Sequence, residues 1–575
     1  MPTKPWISQY DSQIPPSLSP YPSHGFHVFL EQAASRYPNR PCTLFKGRVV
    51  TYRDMNAQAD RLAAALADLG VKKGDRVGLL IPNTPQFVMA FYGVLKAGAI
   101  VVATNPLYTP HEMEHQLRDA GVETVIVMSN FYARINAIRA NTAIKRVIVT
   151  NLKEQLPTQL AVMFTLVRER RDGHRVEKLE PGDYWLKDLL ARYRPEDRPA
   201  VSVDGEDIAI FQYSGGTTGV PKGAIALHRN LVANTIQNAA WIHVIREGES
   251  RTLMAIPLFH VYGMVAGMGL AISRACALIM VPNPRDIVDV LINIHKYQPQ
   301  LFPAVPAMFN AISRHPDVVA GKYNLRSIRA CISGSAPLLA EIKERFERVT
   351  GGTVVEGFGM SETPTATHCN PLGGQNKAGS IGLPYPDVDV RLISVADGVS
   401  PVAPGEEGEL VLRGPQVFAG YWNMPGETAV TLRPDPHDDG GPWLYTGDIA
   451  RMDEDGYFYI VDRKKEVIKA GGFQVWPREV EEVLIQHPSV REVAVAGVPD
   501  IDGNERVMAW VVLNAGAQAS EDELRQFARA ELTGYKVPRH IAFRKELPRT
   551  TVGKLLRRQL VHEETERLRH PAGAE

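Results

Sequence analysis

Between residues 51 and 128 the spacing of apolar positions changes repeatedly. Met55, Leu62, Leu66 and Leu69 recur along one helical face, with Thr51 and Asp54 placed as a capping pair ahead of them and Gly70 closing the run. Arg76–Ile81 is a short apolar stretch stopped by Pro82, the pattern of a buried strand. A helix over Pro85–Leu95, a strand over Ala99–Ala103, a helix over His111–Ala120 and a strand over Glu123–Met128 follow. Strand, helix and strand at such short intervals predict βαβ units and a mainly parallel sheet.

The alternation resumes at Asp207 and runs to about Ser394. Val390–Ile393, Gly408–Arg413 and Tyr457–Val461 then read as short strands separated by Gly and Pro, which predicts a small β-rich lobe. Asp462-Arg463-Lys464-Lys465 is a charged break. Beyond it lie a helix over Pro477–Gln486, strands near Val490–Val498 and Arg506–Leu513, and a helix over Ser520–Leu532. The fold class is therefore α/β: a large N-terminal domain over 1–461, with parallel-sheet lobes and a small β lobe, and a small α+β domain over 462–575.

With 575 residues the chain is too long for one core, and several packed lobes are expected. Lys+Arg and Asp+Glu are both 64, so no global field draws the chain to nucleic acid or to an anionic membrane. Cys42, Cys276, Cys331 and Cys369 are scattered with no C-x-x-C pair, which argues against a disulfide framework or zinc site and suits a reducing cytosol. Met1–Ser23 lacks the apolar run of a signal peptide. Leu253–Ile272 carries no Lys, Arg, Asp or Glu, but Pro257, His260 and three glycines interrupt it. It reads as a buried strand, a turn and a buried helix rather than a membrane span.

The strand Ile210-Phe211-Gln212-Tyr213 runs into Ser214-Gly215-Gly216-Thr217-Thr218-Gly219-Val220-Pro221-Lys222-Gly223. Glycines, hydroxyls and a lysine in that order make a loop able to wrap a polyphosphate with backbone N–H groups and one fixed cation. The Walker spacing is absent, and Gly223 stands where that motif needs Ser or Thr. The string closely resembles the phosphate loop of the acyl-adenylate-forming superfamily, which includes acyl-CoA synthetases, peptide-synthetase adenylation domains and luciferases.

Further strings follow in that superfamily's order, so the resemblance spans roughly residues 25 to 560. Gly357-Phe358-Gly359-Met360-Ser361-Glu362-Thr363 resembles its second ATP motif; the resemblance implies Phe358 on adenine, Glu362 holding Mg²⁺ with Thr217, and Thr363 at the phosphates. Gly334, Ser335 and Ala336 join the implied nucleotide set. Tyr445-Thr446-Gly447-Asp448 resembles the ribose motif, where the two oxygens of a carboxylate at Asp448 suit a diol. Ile460 and Arg463 are implied at the nucleotide, and Asp462 as the hinge of a mobile C-terminal domain. Lys469-Ala470-Gly471-Gly472-Phe473-Gln474 resembles the thioester-forming face, so Lys469, Gly471, Gly472, Phe473 and Gln474 are expected at the CoA step. Pro548–Lys554 resembles the terminal catalytic loop, with Lys554 as the adenylation lysine.

Pro257–Gly263 resembles the acyl-pocket segment of fatty acyl- and aryl-CoA ligases, which implies His260 near the substrate carboxylate. Asn105–Pro110, Gly379–Pro384 and Leu532–Pro538 resemble bacterial long-chain fatty acid:CoA ligases. The implied reaction is ATP-dependent formation of acyl-AMP and pyrophosphate, then of acyl-CoA and AMP. Mg²⁺ is the expected cofactor, and the fatty acid, ATP and CoA are the expected small-molecule partners. An aryl- or medium-chain acid:CoA ligase, or an adenylating enzyme loading a carrier protein, is the alternative. A cytoplasmic location is expected, with peripheral contact at the inner face of the membrane and a homodimer as further expectations.

Leu160, Met163, Phe164 and Val167 share a helical face, followed by Arg168, Arg170, Arg171, His174 and Arg175. Such a segment is either an ordinary core-facing helix with a solvated end or a basic amphipathic helix that lies on a membrane.

Overall fold

A computed structural model describes residues 4–214, 221–403, 405–435, 438–464, 466–470, 473–499, 505–550 and 555–569. The chain divides into two compact units, Met1–Asp389 with Arg413–Leu444, and Val390–Leu412 with Tyr445–Glu575. The β-rich segment before Asp462 thus clusters with the C-terminal part, a different cut from the one at Asp462.

Two sheets organise the first unit. One runs Gly420–Tyr421, Lys222–Leu227, Ile208–Ser214, Ile100–Ala103, Arg76–Leu80, Thr124–Met128, Arg146–Thr150, Tyr184–Trp185. Its strands from Ile208–Ser214 to Tyr184–Trp185 are parallel. The other sheet runs Leu383–Pro384, Thr365–Cys369, Thr353–Met360, Ala330–Ser333, Leu301–Ala304, Arg251–Met254, Ala277–Met280, Pro41–Phe45, Arg48–Thr51. It is parallel in the middle and antiparallel at both ends.

The helices form where the apolar spacing places them. Thr51 Oγ1 accepts the Asp54 N–H at 3.1 Å and starts the helix Tyr52–Asp68, and Gly70 follows it at φ +82°. Every residue of helix Pro85–Lys96 is buried. A Cβ on Gly93 would stand 2.8 Å from Leu62 Cδ2, so glycine there lets these two helices approach closely. Asn83 joins the two sheets: its Nδ2 donates to Met254 O and Ile256 O at 3.0 and 2.7 Å, and its Oδ1 accepts from Leu258 N at 2.9 Å. These bonds fix the loop beyond Arg251–Met254, at the carboxyl ends of the strands, where open α/β sheets bind ligands.

Leu253–Ile272 folds as strand Arg251–Met254, a turn, a π-helix Tyr262–Gly269 and helix Leu270–Ser273. Among the described residues no helix is long and apolar enough to cross a membrane. The π-helix packs tightly against the turn: a Cβ on Gly263 would stand 2.2 Å from Pro257 O.

In the second unit, Phe458–Arg463 is a strand that carries Asp462 and Arg463 as its last residues, so the first two residues of the charged string continue the ladder, and Lys465 lies outside the described residues. Beyond it, helices Pro477–Leu484 and Glu521–Glu531 pack on a sheet ordered Val490–Pro499, Glu505–Leu513, His540–Phe543.

Candidate active site

The strand ends of the second sheet line a cavity that is partly open to solvent. His260 comes from the turn after Arg251–Met254, and Gly334 and Ser335 from the turn after Ala330–Ser333. Gly357, Phe358, Gly359 and Met360 come from the end of strand Thr353–Met360. The resemblance named all seven, and the fold gathers them. Val261, Ala266 and Ile332 add an apolar wall.

Local constraints hold this lining in place. Ser335 has φ +71°, a left-handed backbone that a non-glycine residue seldom adopts. A Cβ on Gly359 would lie 1.4 Å from Thr365 O, so only glycine permits the pairing of Thr353–Met360 with Thr365–Cys369. The Phe358 ring meets His368 edge-on at 6.0 Å. The Tyr262 hydroxyl donates to Ile332 O at 2.7 Å, with Ala304 O at 3.1 Å.

Burial lowers the His260 pKa to about 4, so its ring is neutral at pH 7. Its Nδ1 accepts the Tyr262 N–H at 3.3 Å, which leaves Nε2 to carry the proton. A neutral imidazole beside a substrate carboxylate can donate one hydrogen bond without forming an ion pair.

Glu362 is buried, and its Oε1 accepts the Tyr421 hydroxyl at 2.6 Å. Burial and then the Glu362 charge raise the Tyr421 pKa, so the phenol stays a donor. Lys222 Nζ lies 5.4 Å from the Tyr421 ring centroid and pairs with Glu427 on helix Pro425–Thr431. Thr363 is fully buried, and its hydroxyl lies 3.2 and 3.3 Å from Met360 O and Thr365 O, inside its own turn. Ser361 is buried and Ala336 half-buried.

Ser214 and Lys222 are paired across antiparallel strands, which fixes both ends of the phosphate loop. Gly215, Gly216, Thr217, Thr218 and Gly219 lie outside the described residues, as do Gly471, Gly472 and Lys554.

In the second unit Asp448 is buried, and Arg463 Nε donates to its Oδ1 at 3.0 Å. The two residues face each other across the ladder, in which Ile460 pairs with Ala450. Asp462 Oδ1 and Oδ2 accept the N–H groups of Arg463 and Arg478 at 2.7 and 2.8 Å, while burial raises its pKa. Lys469 pairs with Gln474, and Ala470 with Phe473, in a two-stranded ribbon.

Sequence reasoning missed Tyr421, Glu427 and the amides of helix His228–Trp241. Asn234 Nδ2 donates to Ala366 O at 2.6 Å and its Oδ1 accepts Ala366 N at 3.1 Å. Asn238, which lines the cavity, accepts from the Tyr385 hydroxyl at 3.1 Å. Asn230, Asn234 and Asn238 recur every fourth residue, a polar stripe on a buried helix and the one signal that marked them.

Residues 30–422 match the AMP-binding enzyme family, and residues 479–554 match the AMP-binding enzyme C-terminal domain. The chain is 43% identical over 564 residues to the long-chain-fatty-acid–CoA ligase of Bacillus subtilis, covering 98% of each chain. It is 38% identical over 567 residues to that of Salmonella typhimurium, covering 97% of this chain and 98% of the other. The crystal structure of an anthranilate CoA ligase in complex with anthranoyl-AMP matches with a TM-score of 0.81 at 27% identity, over 95% of this chain and 98% of that one. By its sequence over nearly its whole length, the chain belongs to the AMP-binding enzyme family, the acyl-adenylate-forming superfamily.

Proposed function

We propose that this protein is an ATP-dependent fatty acid:CoA ligase that prefers long-chain acids. A carboxylate oxygen attacks the α-phosphorus of ATP, the bond to the bridging oxygen of the β-phosphate breaks, and acyl-AMP and pyrophosphate form. The CoA thiol sulfur then attacks the acyl carbon, AMP departs with the phosphate oxygen, and the thiol proton is released. The observation that carries this reading is the likeness to bacterial long-chain ligases over 97–98% of this chain. The anthranilate ligase likeness favours an aryl-acid enzyme as the second reading.

Lys554 would bridge the carboxylate and the α-phosphate, and Lys222 with the N–H groups of residues 215–219 would hold the leaving phosphates. One well-placed donor of this kind contributes about 3–4 kcal/mol to the transition state. Asp448 would accept from the ribose hydroxyls, with Arg463 orienting its carboxylate. The division at Asp462 and the placing of Lys469–Gln474 at the thioester step belong to the same reading.

The oxygen donors fit Mg²⁺. Among the described residues no cluster of three His, Cys, Asp or Glu could cage a metal, whereas a single carboxylate shared with substrate phosphates is how this cation is commonly held. Glu362 and Thr217 would be its protein ligands. When bound, it neutralises charge on the phosphates.

The test is acyl-CoA formation from acetate, octanoate, palmitate, oleate, benzoate and cinnamate. Palmitate and oleate should exceed the aryl acids in kcat/KM by at least about tenfold, since each buried methylene contributes about 0.8 kcal/mol. Preference for benzoate or cinnamate would transfer the assignment to the aryl reading. Lys554→Ala should abolish adenylate formation and keep thioester formation from supplied acyl-AMP; loss of both half-reactions would remove its assigned role.

A further inference from the structure

Helix Thr158–Met163 continues directly into a π-helical turn, Phe164–Arg168. Phe164 is its one buried side chain and packs edge-on against His174 at 5.4 Å. The other apolar residues point outward: Leu160, Val162, Met163, Leu166 and Val167 are 41, 55, 61, 79 and 63% exposed. The core-facing reading of this segment is thus overturned: of the expected face only Phe164 turns inward, and Val162 and Leu166 are exposed beside the rest.

This face is held rigidly. His174 Nδ1 bonds Ser129 Oγ at 2.9 Å, Asn151 Nδ2 donates to Glu169 Oε1 at 2.8 Å, and Lys153 pairs with Glu169 at 2.7 Å. Hairpin Pro41–Thr51 braces it from beneath: Arg48 donates to Glu154 O at 2.9 Å, and Gly47 lies near Pro157. The same hairpin bonds helix Ile287–Tyr297 through Lys46–Asp289 and Gly47–Tyr297, and that helix exposes Val288 and Ile292 at i, i+4. Soluble proteins seldom leave so much aliphatic surface uncovered.

We propose that this face is a docking surface for an anionic lipid bilayer. Two observations select that occupant over a protein partner. The outward apolar residues are all aliphatic or Met, without the aromatic anchors of a protein interface. A cationic margin follows directly: Arg168, Arg170, Arg171, Arg175 and Lys178 are exposed, against Asp172, Glu177 and Glu180. Aliphatic residues beside arginines match the boundary between acyl chains and anionic headgroups. If the proposed function holds, the surface also places the enzyme where its amphiphilic substrate partitions.

The full chain, without substrates, is sedimented with vesicles of phosphatidylcholine containing about one-third phosphatidylglycerol, and with pure phosphatidylcholine. The protein should partition preferentially onto the anionic vesicles. Met163→Glu/Leu166→Glu should cut partitioning by at least about tenfold, and Arg170→Glu/Arg171→Glu should remove the preference for anionic lipid. Circular dichroism melts of each variant should match the parent, since these side chains face solvent. Absence of parent binding, or binding indifferent to both variants, would overturn the proposal. So would a concentration-dependent dimer in sedimentation velocity that Met163→Glu/Leu166→Glu dissolves, because the face would then belong to a second copy. No substrate enters the assay, so its outcome is independent of the proposed reaction.

Discussion

The Tyr421 hydroxyl donates to Glu362 Oε1 at 2.6 Å, from a strand that borders the phosphate-loop hairpin. One oxygen of the proposed metal-binding carboxylate is thereby oriented, and the Tyr421 ring also lies under Lys222. Tyr421→Phe removes the donor and keeps the ring packed on Phe418, 4.9 Å away. Loss of such an outer partner typically costs about 10- to 100-fold in metal affinity or activity. ATP–pyrophosphate exchange should fall within that range and half-saturating Mg²⁺ should rise, while thioester formation from supplied acyl-AMP stays unchanged. Unaltered exchange and Mg²⁺ dependence would remove Tyr421 from this role.

Gly359→Ala should be more damaging than its size suggests. The added methyl would fall 1.4 Å from Thr365 O, a backbone atom that cannot swing away as a side chain can. The two strands must separate at the point where both line the cavity. We expect a stability loss above about 2 kcal/mol, together with loss of exchange activity. A variant with parental melting temperature and exchange rate would show that the strands part easily.

What the sequence made legible was local. The Thr51–Asp54 cap, the helix ended at Gly70 and the strand, turn and helix of Leu253–Ile272 each depend on neighbours in the chain, and each formed as expected. Gly357–Met360 and His260 were legible through resemblance, although their meeting in one cavity depends on the sheet. Tyr421–Glu362 spans 59 residues and Asn234–Ala366 spans 132, so no periodicity could announce either contact. The Leu160–Val167 face failed for a different reason: apolar spacing marks a face but not whether anything covers it, and of this face only Phe164 is buried.

Four histidines, His27, His228 and His368 buried and His260 half-buried, should make the fold acid-sensitive. Burial lowers the pKa of His228 and His368 to about 3 and of His27 and His260 to about 4; His27 adds to the effect on His228. The unfolded chain protonates these rings near 6.5, so it binds more protons than the folded chain as pH falls from 6.5 towards 4. Stability is therefore fully present above pH 6.5 and lost progressively below it. His228 Nδ1 accepts Phe26 N–H at 2.9 Å, a bond that requires the neutral ring. From pH 7 to 5 this one residue contributes a loss of up to about 2 kcal/mol. Urea midpoints should fall over that interval, and His228→Gln, which retains an acceptor, should flatten the slope. An unchanged slope would mean that other groups control the acid response.

Asn234 makes the most demanding prediction about the scaffold. Its amide bonds both polar groups of the Ala366 backbone, as a neighbouring strand would, although it belongs to helix His228–Trp241. Asn234→Ala leaves a buried N–H and a buried carbonyl without these partners, each worth about 1–3 kcal/mol. We expect urea unfolding to reveal a loss of about 3 kcal/mol. Asn234→Asp should fall between the two, since a carboxylate still accepts from Ala366 N–H but cannot donate to Ala366 O. Ala366 lines the cavity and pairs with Gly359, so exchange activity should drop even where the variants remain folded. If Asn234→Ala matched the parent in both stability and exchange, water would be replacing the amide, and the helix would not be what holds this strand at the site.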